Sequence, residues 1–244
     1  MGNLSLVKSL SHLREEQKYT DEVLLDGWGI AFLRGGLAEI TGEPSSGKTS
    51  LPLDLLSHLT RMGEICAVVD SSDSFDPCSA ILAGVELENM LWVKCGGDLE
   101  KAFMSADMLV QAKGFGSVWL NLNGLGQKQL RMVPKTYWYR YRNRIKETPT
   151  IFIVTAAESI VGSASQRSFA FKRERAVWSG SGRYKLLREF HLKYDALRGQ
   201  RARQAATELP QPTGNLYMLE EARRSRQASD GAMRVKIEFD YREI

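Results

Sequence analysis

Long apolar runs are absent from this 244-residue chain. No stretch approaches the ~18 consecutive apolar residues that a membrane-spanning helix needs, so no span is expected. Cysteine is scarce. Cys66, Cys78 and Cys95 are the whole complement, an odd number at spacings that suit no metal site. That argues against a disulfide scaffold and for reduced thiols. Met1–Lys18 is polar and carries Glu15 and Glu16, unlike a secretory signal, so a cytoplasmic location is expected. His58 and His191 belong to no motif and read as packing or surface residues. Gly162-Ser163-Ala164-Ser165 has no nearby base that would activate a serine. There is no internal repeat, no signature of an ABC protein and no acceptor-site motif of a kinase. Hydrophobic content of 43% is nonetheless enough for a real core, and the length suits one α/β domain with small appendages.

What is present is sharper. Gly42-Glu43-Pro44-Ser45-Ser46-Gly47-Lys48-Thr49 is a complete G-x-x-x-x-G-K-T phosphate-loop motif. Gly42 and Gly47 let the backbone turn tightly around an anion, because they lack a Cβ. The loop amides and the following helix N-terminus point at that anion. Lys48 is placed to reach the β- and γ-phosphates of a nucleotide, and the Thr49 hydroxyl to ligate Mg²⁺. The flanks agree: Gly36–Thr41 reads as a short buried strand, and Ser50–Met62 carries Leu51, Leu55, Leu56 and Leu59 at helical spacing.

Further strands are expected at Ile65–Asp70, Ser117–Leu122 and Thr150–Thr155, and helices over Glu100–Lys113 and Lys128–Lys146, the latter interrupted or started near Pro134. Met104 and Met108 fit a core stripe on the first of these helices. Alternating strands and helices predict an α/β fold with a mostly parallel central sheet and helices on both faces. Residues 184–194 and 234–241 alternate in part and read as late antiparallel edge strands. Ser159–Ser168, small and polar, is expected to be a mobile loop, and Arg198–Gly231 a long loop or insertion. Leu4–Lys18 can form a short helix that docks on its own domain or on a neighbouring subunit. The expected units are an N-terminal helix over 1–20, a nucleotide-binding core over 21–195 and a basic C-terminal extension over 196–244 with a final strand.

Charge is segregated. Between Arg131 and Arg203 stand 17 Lys and Arg against 5 Asp and Glu, a local +12, while the remainder carries 16 against 24, or −8. Such separation suggests a polyanionic partner. Tyr137-Trp138-Tyr139-Arg140-Tyr141-Arg142-Asn143-Arg144 interleaves aromatics with arginines, the pattern of a single-strand-binding surface. The competing reading is an amphipathic helix with Trp138, Tyr141 and Ile145 inward, and it is preferred for the aromatics. Arg140, Arg142 and Arg144 remain candidate phosphate contacts from the outer face. Phe171-Lys172-Arg173-Glu174-Arg175 reads either as a second cationic contact or as a solvated strand end. Arg198, Arg201, Arg203, Arg223, Arg224 and Arg226 suit nucleic acid or an acidic protein equally.

Several phrases together resemble RecA recombinases: Glu39-Ile40-Thr41 running into the phosphate loop with its Ser-Ser-Gly-Lys-Thr ending, Val69-Asp70 followed by Phe75-Asp76-Pro77, Ala83-Gly84-Val85 through Asn89–Val93, and Thr150–Val154. The resemblance covers roughly residues 22–195. It implies a RecA-like core that binds ATP and Mg²⁺, with single-stranded DNA and self-association as possible partners. It also implies that Lys172, Arg173 and Arg175 lie where the family's second DNA loop rejoins the core. The departures are at the chemistry. The water-activating glutamate falls on Ser72, with Asp73 beside it as a substitute or a turn residue. The Walker B aspartate falls on Asn121, the γ-phosphate-sensing glutamine on Thr155, and the adenine-stacking tyrosine on Ser79. Hydrolysis needs a positioned water and stabilised charge, which neutral residues supply poorly. The resemblance therefore carries nucleotide binding further than turnover, and implies at most a weak ATPase. A short, eroded RecA-like chain with an arginine-rich tail is similar to the ImuA group, bacterial accessory proteins of damage-induced translesion synthesis. That implies an accessory role in SOS DNA repair beside a polymerase. Two alternatives stand: a DNA-dependent ATPase of the recombinase type, and an interaction module with a vestigial nucleotide site that binds a polymerase or recombinase.

Overall fold

The computed structural model describes residues 22–183, 185–199, 220–229 and 232–240. The helix expected over Leu4–Lys18 and the charges at Arg201 and Arg203 lie outside the described residues. A hairpin of β1 (Glu22–Leu25) and β2 (Ile30–Leu33) stands apart from one nine-stranded sheet. The sheet contains β3 (Leu37–Gly42), β4 (Cys66–Asp70), β5 (Met90–Lys94), β6 (Ser117–Asn121), β7 (Ile151–Ala156), β8 (Arg167–Ser179), β9 (Leu186–Arg198), β10 (Glu220–Ser229) and β11 (Ala232–Asp240). Their order is β10-β11-β9-β8-β3-β7-β6-β4-β5. From β8 to β5 every pairing is parallel, and from β8 outward to β10 every pairing is antiparallel. The parallel strands β3, β4, β6 and β7 are apolar runs buried on both faces, as a sheet covered by helices on both sides requires.

Among the described residues five helices supply the cover: α1 (Ser50–Arg61), α2 (Pro77–Leu82), α3 (Leu99–Ala112), α4 (Gln127–Arg131) and α5 (Lys135–Ile145). α1 and the β1–β2 hairpin lie over one face. There Trp28, Phe32, Leu51, Leu55, Phe169, Phe171 and Tyr194 form one core. Trp28 donates its indole N–H to Asp54 Oδ2 at 2.9 Å, which fastens the hairpin to α1. α3 and α5 cover the other face around Phe103, Trp138, Tyr141 and Phe152. Asp76 and Asp98 cap α2 and α3 by accepting backbone N–H groups of the first turn. These contacts hold both carboxyls below their ordinary value, through Ser79 for Asp76 and Lys101 for Asp98. Pro134 ends α4's turn and begins α5, so the interruption expected near it is real.

Four expectations are corrected. Met104 and Met108 are 60% and 70% exposed, because α3 turns Ala102, Phe103, Ala106 and Val110 to the sheet. The segment expected to be mobile near Ser159–Ser168 is fastened at its start by a buried carboxylate, described below, and ends inside β8. The segment expected as a loop over Arg198–Gly231 contains β10, which hydrogen-bonds to β11 in the same sheet. The stretch Phe171–Arg175 is interior to a 13-residue strand rather than its end.

Candidate functional site

The parallel strands all end on one edge of the sheet, and the motif residues gather there. Cα pairing aligns Asp70, Asn121, Thr155 and Ile40 on one rung, two residues short of Gly42. Gly42–Thr49 leaves β3 and enters α1, with Thr49 as its N-cap residue. Gly47 has φ +84, and Ser45 also sits in the left-handed region at φ +59. Lys48 is only 6% exposed, and its ammonium donates to the Gly42 carbonyl at 2.5 Å. Burial pulls its pKa below the ordinary lysine value. An anion in the loop would offset that desolvation. Ser46 Oγ is buried with no hydrogen-bond partner, and Thr49 is exposed with no capping bond from its hydroxyl. A buried cation, an orphaned hydroxyl and a glycine turn are the features a phosphate group would satisfy.

The floor of the loop is apolar. A Cβ on Gly47 would stand 2.6 Å from Leu192 Cδ2 and 3.0 Å from Phe190 Cε1. Strand β9 therefore lies directly against the turn. Sequence reasoning missed this support, because alternation in 184–194 signals a strand but not what it touches.

The neighbouring rung is a polar network in which one buried acceptor, Asn123 Oδ1, has no partner. Asp70 accepts from Phe75 N at 2.8 Å and Ser74 N at 3.1 Å. Asn121 donates through Nδ2 to Ser74 Oγ at 2.9 Å and to Asp70 Oδ1 at 3.4 Å. Its Oδ1 accepts from Thr155 Oγ1 at 3.0 Å and from Asn123 N at 3.2 Å. Thr155 accepts in turn from Trp119 Nε1 at 2.9 Å. Ser72 Oγ donates to the Asn123 carbonyl, and Ser79 Oγ donates to Asp76. Asp73 is exposed in a left-handed turn at φ +54. Thus both ends of the Asn121 amide are occupied within the protein, and Thr155 Oγ1 is engaged by Trp119, Asn121 and Asn123. Among the described residues no group of three or more His, Cys, Asp and Glu could hold a metal. The residues fit a phosphate; for a hydrated Mg²⁺ they offer the exposed Thr49 hydroxyl.

Glu39, on β3 three residues before Gly42, is fully buried. Its carboxylate accepts from Ile160 N at 2.7 Å, Val161 N at 2.8 Å and Ser159 Oγ at 2.8 Å. Gly42 N donates to the Ala157 carbonyl at 3.2 Å. The phosphate-loop strand and the segment after β7 are joined at two points.

The arginines expected on α5 divide. Trp138, Tyr141 and Ile145 face inward, as the amphipathic reading requires. Arg140 lies 3.5 Å from Asp107 of α3 and stacks 4.5 Å from the Tyr137 ring centroid, and Arg144 also pairs with Asp107. Arg142 is half-buried. Lys172, Arg173 and Arg175 are exposed on β8, away from α5. No helix among the described residues is long and apolar enough to cross a membrane.

The comparisons with known proteins bear on the first part of this architecture. Residues 20–121, from the approach to β1 through β6, match the family described as the RecA N-terminal domain. Protein RecA of Synechococcus sp. (strain WH7803) is 33% identical over 112 residues, 46% of this chain and 29% of that protein. Protein RecA of Chloroflexus aurantiacus (strain ATCC 29364 / DSM 637 / Y-400-fl) is 33% identical over 111 residues, 45% of this chain and 31% of that protein. The matched stretch thus spans under a third of these relatives' length. Over the hairpin, the phosphate-loop motif and the strands through β6, the chain is similar to the RecA N-terminal domain.

Proposed function

We propose that the chain is a RecA-like nucleotide-binding protein that holds ATP at Gly42–Thr49 with little or no turnover, and serves as an accessory factor in bacterial DNA repair. Lys48 and the loop amides would take the phosphates, Ser46 would satisfy its hydroxyl there, and Thr49 would ligate Mg²⁺. The bound metal would neutralise phosphate charge. The observation that carries the reading is the contrast between the two neighbouring features. The loop presents a buried lysine and a buried hydroxyl without a partner, whereas the Asp70–Asn121–Thr155 rung is hydrogen-bonded internally and has neutral Ser72 and Asn121 where carboxylates would activate a water and hold the metal. Single-stranded DNA, a repair polymerase and other copies of the chain are proposed partners in the cytoplasm. The similarity to the ImuA group supports a place in translesion synthesis.

Calorimetric titration of the full chain with ATP and Mg²⁺ tests the reading. Binding is expected for the wild type and lost in Lys48→Ala, with steady-state phosphate release near background. DNA-stimulated turnover at recombinase rates, abolished by Lys48→Ala, would refute the accessory assignment. The absence of binding heat would leave the interaction module.

A further inference from the structure

The phosphate loop carries an acid. Glu43 follows Gly42 directly, where β3 runs into the turn. Glu43-Pro44-Ser45-Ser46 closes as a β-turn, with Ser46 N donating to the Glu43 carbonyl at 3.2 Å. Pro44 holds its second position and Ser45 its third, at φ +59, the pattern of a type II turn. Two consequences follow for an anion in the loop. Pro44 has no N–H to offer, and the Ser46 N–H is engaged inside the turn. Glu43, Pro44 and Ser45 are all exposed, and the Glu43 carboxylate makes no hydrogen bond or ion pair among the described residues. Other carboxylates at this edge of the sheet are engaged. Glu39 accepts from Ile160 N and Ser159 Oγ, and Asp70 from Ser74 N and Phe75 N. Asp76 and Asp98 cap helices, and Glu158 pairs with Arg131 at 2.7 Å. Asp73 is exposed without an ion pair, but it follows β4, three strands away from β3.

A free carboxylate on a phosphate-binding loop repels a bare triphosphate, whose ionised tail carries more charge than its metal complex. The same carboxylate favours a cation that arrives with the phosphates. Mg²⁺ keeps several waters and is usually held by one or two carboxylates beside the phosphates of its substrate. Ser72 and Asn121 are neutral, so neither can be that carboxylate. We propose that Glu43 is a specificity-determining residue of the nucleotide site: it selects the Mg²⁺ complex of a nucleoside triphosphate over the free anion, and it does so from the loop rather than from the strand ends. The buried Lys48 ammonium and the orphaned Ser46 hydroxyl meet the phosphates, and Glu43 answers the metal. This role rests on the reading that the loop holds ATP.

The test is calorimetric titration of the full chain with ATP at constant ionic strength, once in excess Mg²⁺ and once in EDTA. The wild type should bind roughly tenfold tighter with Mg²⁺. Glu43→Gln removes the charge and keeps the shape. It should bind ATP more tightly in EDTA and less tightly in Mg²⁺, so that the ratio of the two affinities falls toward unity. The ratio is read within one variant, so a general loss of affinity does not imitate this crossing. Glu43→Asp should keep most of the ratio, and Asp73→Asn all of it. A wild-type ratio near unity, a ratio unchanged in Glu43→Gln, or an equal loss in both conditions would overturn the role of Glu43 and leave nucleotide binding standing. Collapse of the ratio in Asp73→Asn but not in Glu43→Gln would overturn it too, by placing the metal-side acid at the strand ends. If the wild type gives no heat in either condition, the nucleotide reading falls and the role of Glu43 falls with it.

Discussion

Replacing Gly47 by alanine measures how firmly β9 is seated under the phosphate loop. Two costs add. A non-glycine residue at φ +84 leaves the favoured backbone regions, worth roughly 1–2 kcal/mol. The new methyl would also stand 2.6 Å from Leu192 Cδ2 and 3.0 Å from Phe190 Cε1, an overlap in a filled core that costs about 1–3 kcal/mol. Gly63 separates the two, since it has φ +79 but nothing within 4 Å of its added Cβ. Gly63→Ala should therefore carry the backbone cost alone. In urea, with a slope near 3 kcal/mol/M, the extra cost at Gly47 lowers the midpoint by about 0.3–1 M relative to Gly63→Ala. Leu192→Ala removes the obstructing atom at its own cavity cost of about 2–5 kcal/mol. The Gly47→Ala/Leu192→Ala pair should then lose less stability than the sum of the single changes, by about 1–3 kcal/mol. Equal midpoints for the two glycine variants, or strict additivity in the pair, would refute the claim that β9 supports the turn.

Two further outcomes follow from groups already placed. Burial pushes the Cys66 thiol up to about 12, and Cys95 is also raised by burial and itself buried, so a disulfide reagent at neutral pH should label Cys78 alone in the folded protein and all three after unfolding. Asp76 and Asp98 cap helices with pKa values held below the carboxylate value of 3.8, so their stabilisation is complete above that value and fades only as pH falls through the lower folded values. Asp98→Asn should flatten that acid limb, and an unchanged acid melting profile would count against the cap.

The strands under the site were legible because burial on both faces leaves unbroken apolar runs, as in Cys66–Asp70 and Ile151–Ala156. The inward face of α5 was legible from the spacing of Trp138, Tyr141 and Ile145. β10 was not: Glu220–Ser229 holds no apolar alternation, and what makes it a strand is backbone pairing with β11. Met104 and Met108 misled because α3 also has small residues, and Ala102 and Ala106 are the ones that let it sit close to the sheet. The erosion at Asn121 was visible as a residue type. Its bonding to Thr155, Ser74 and Asn123 required the rung geometry.

The buried Glu39 carboxylate has a consequence for how the molecule breathes. A surface segment usually opens by itself, at little free-energy cost, while the core stays closed. The segment beginning at Ser159 cannot detach in this way, because its departure would leave a charge in the interior without three of its donors. Its opening is therefore tied to that of β3 itself, and the edge of the sheet where the phosphate loop begins rises and falls as one cooperative unit.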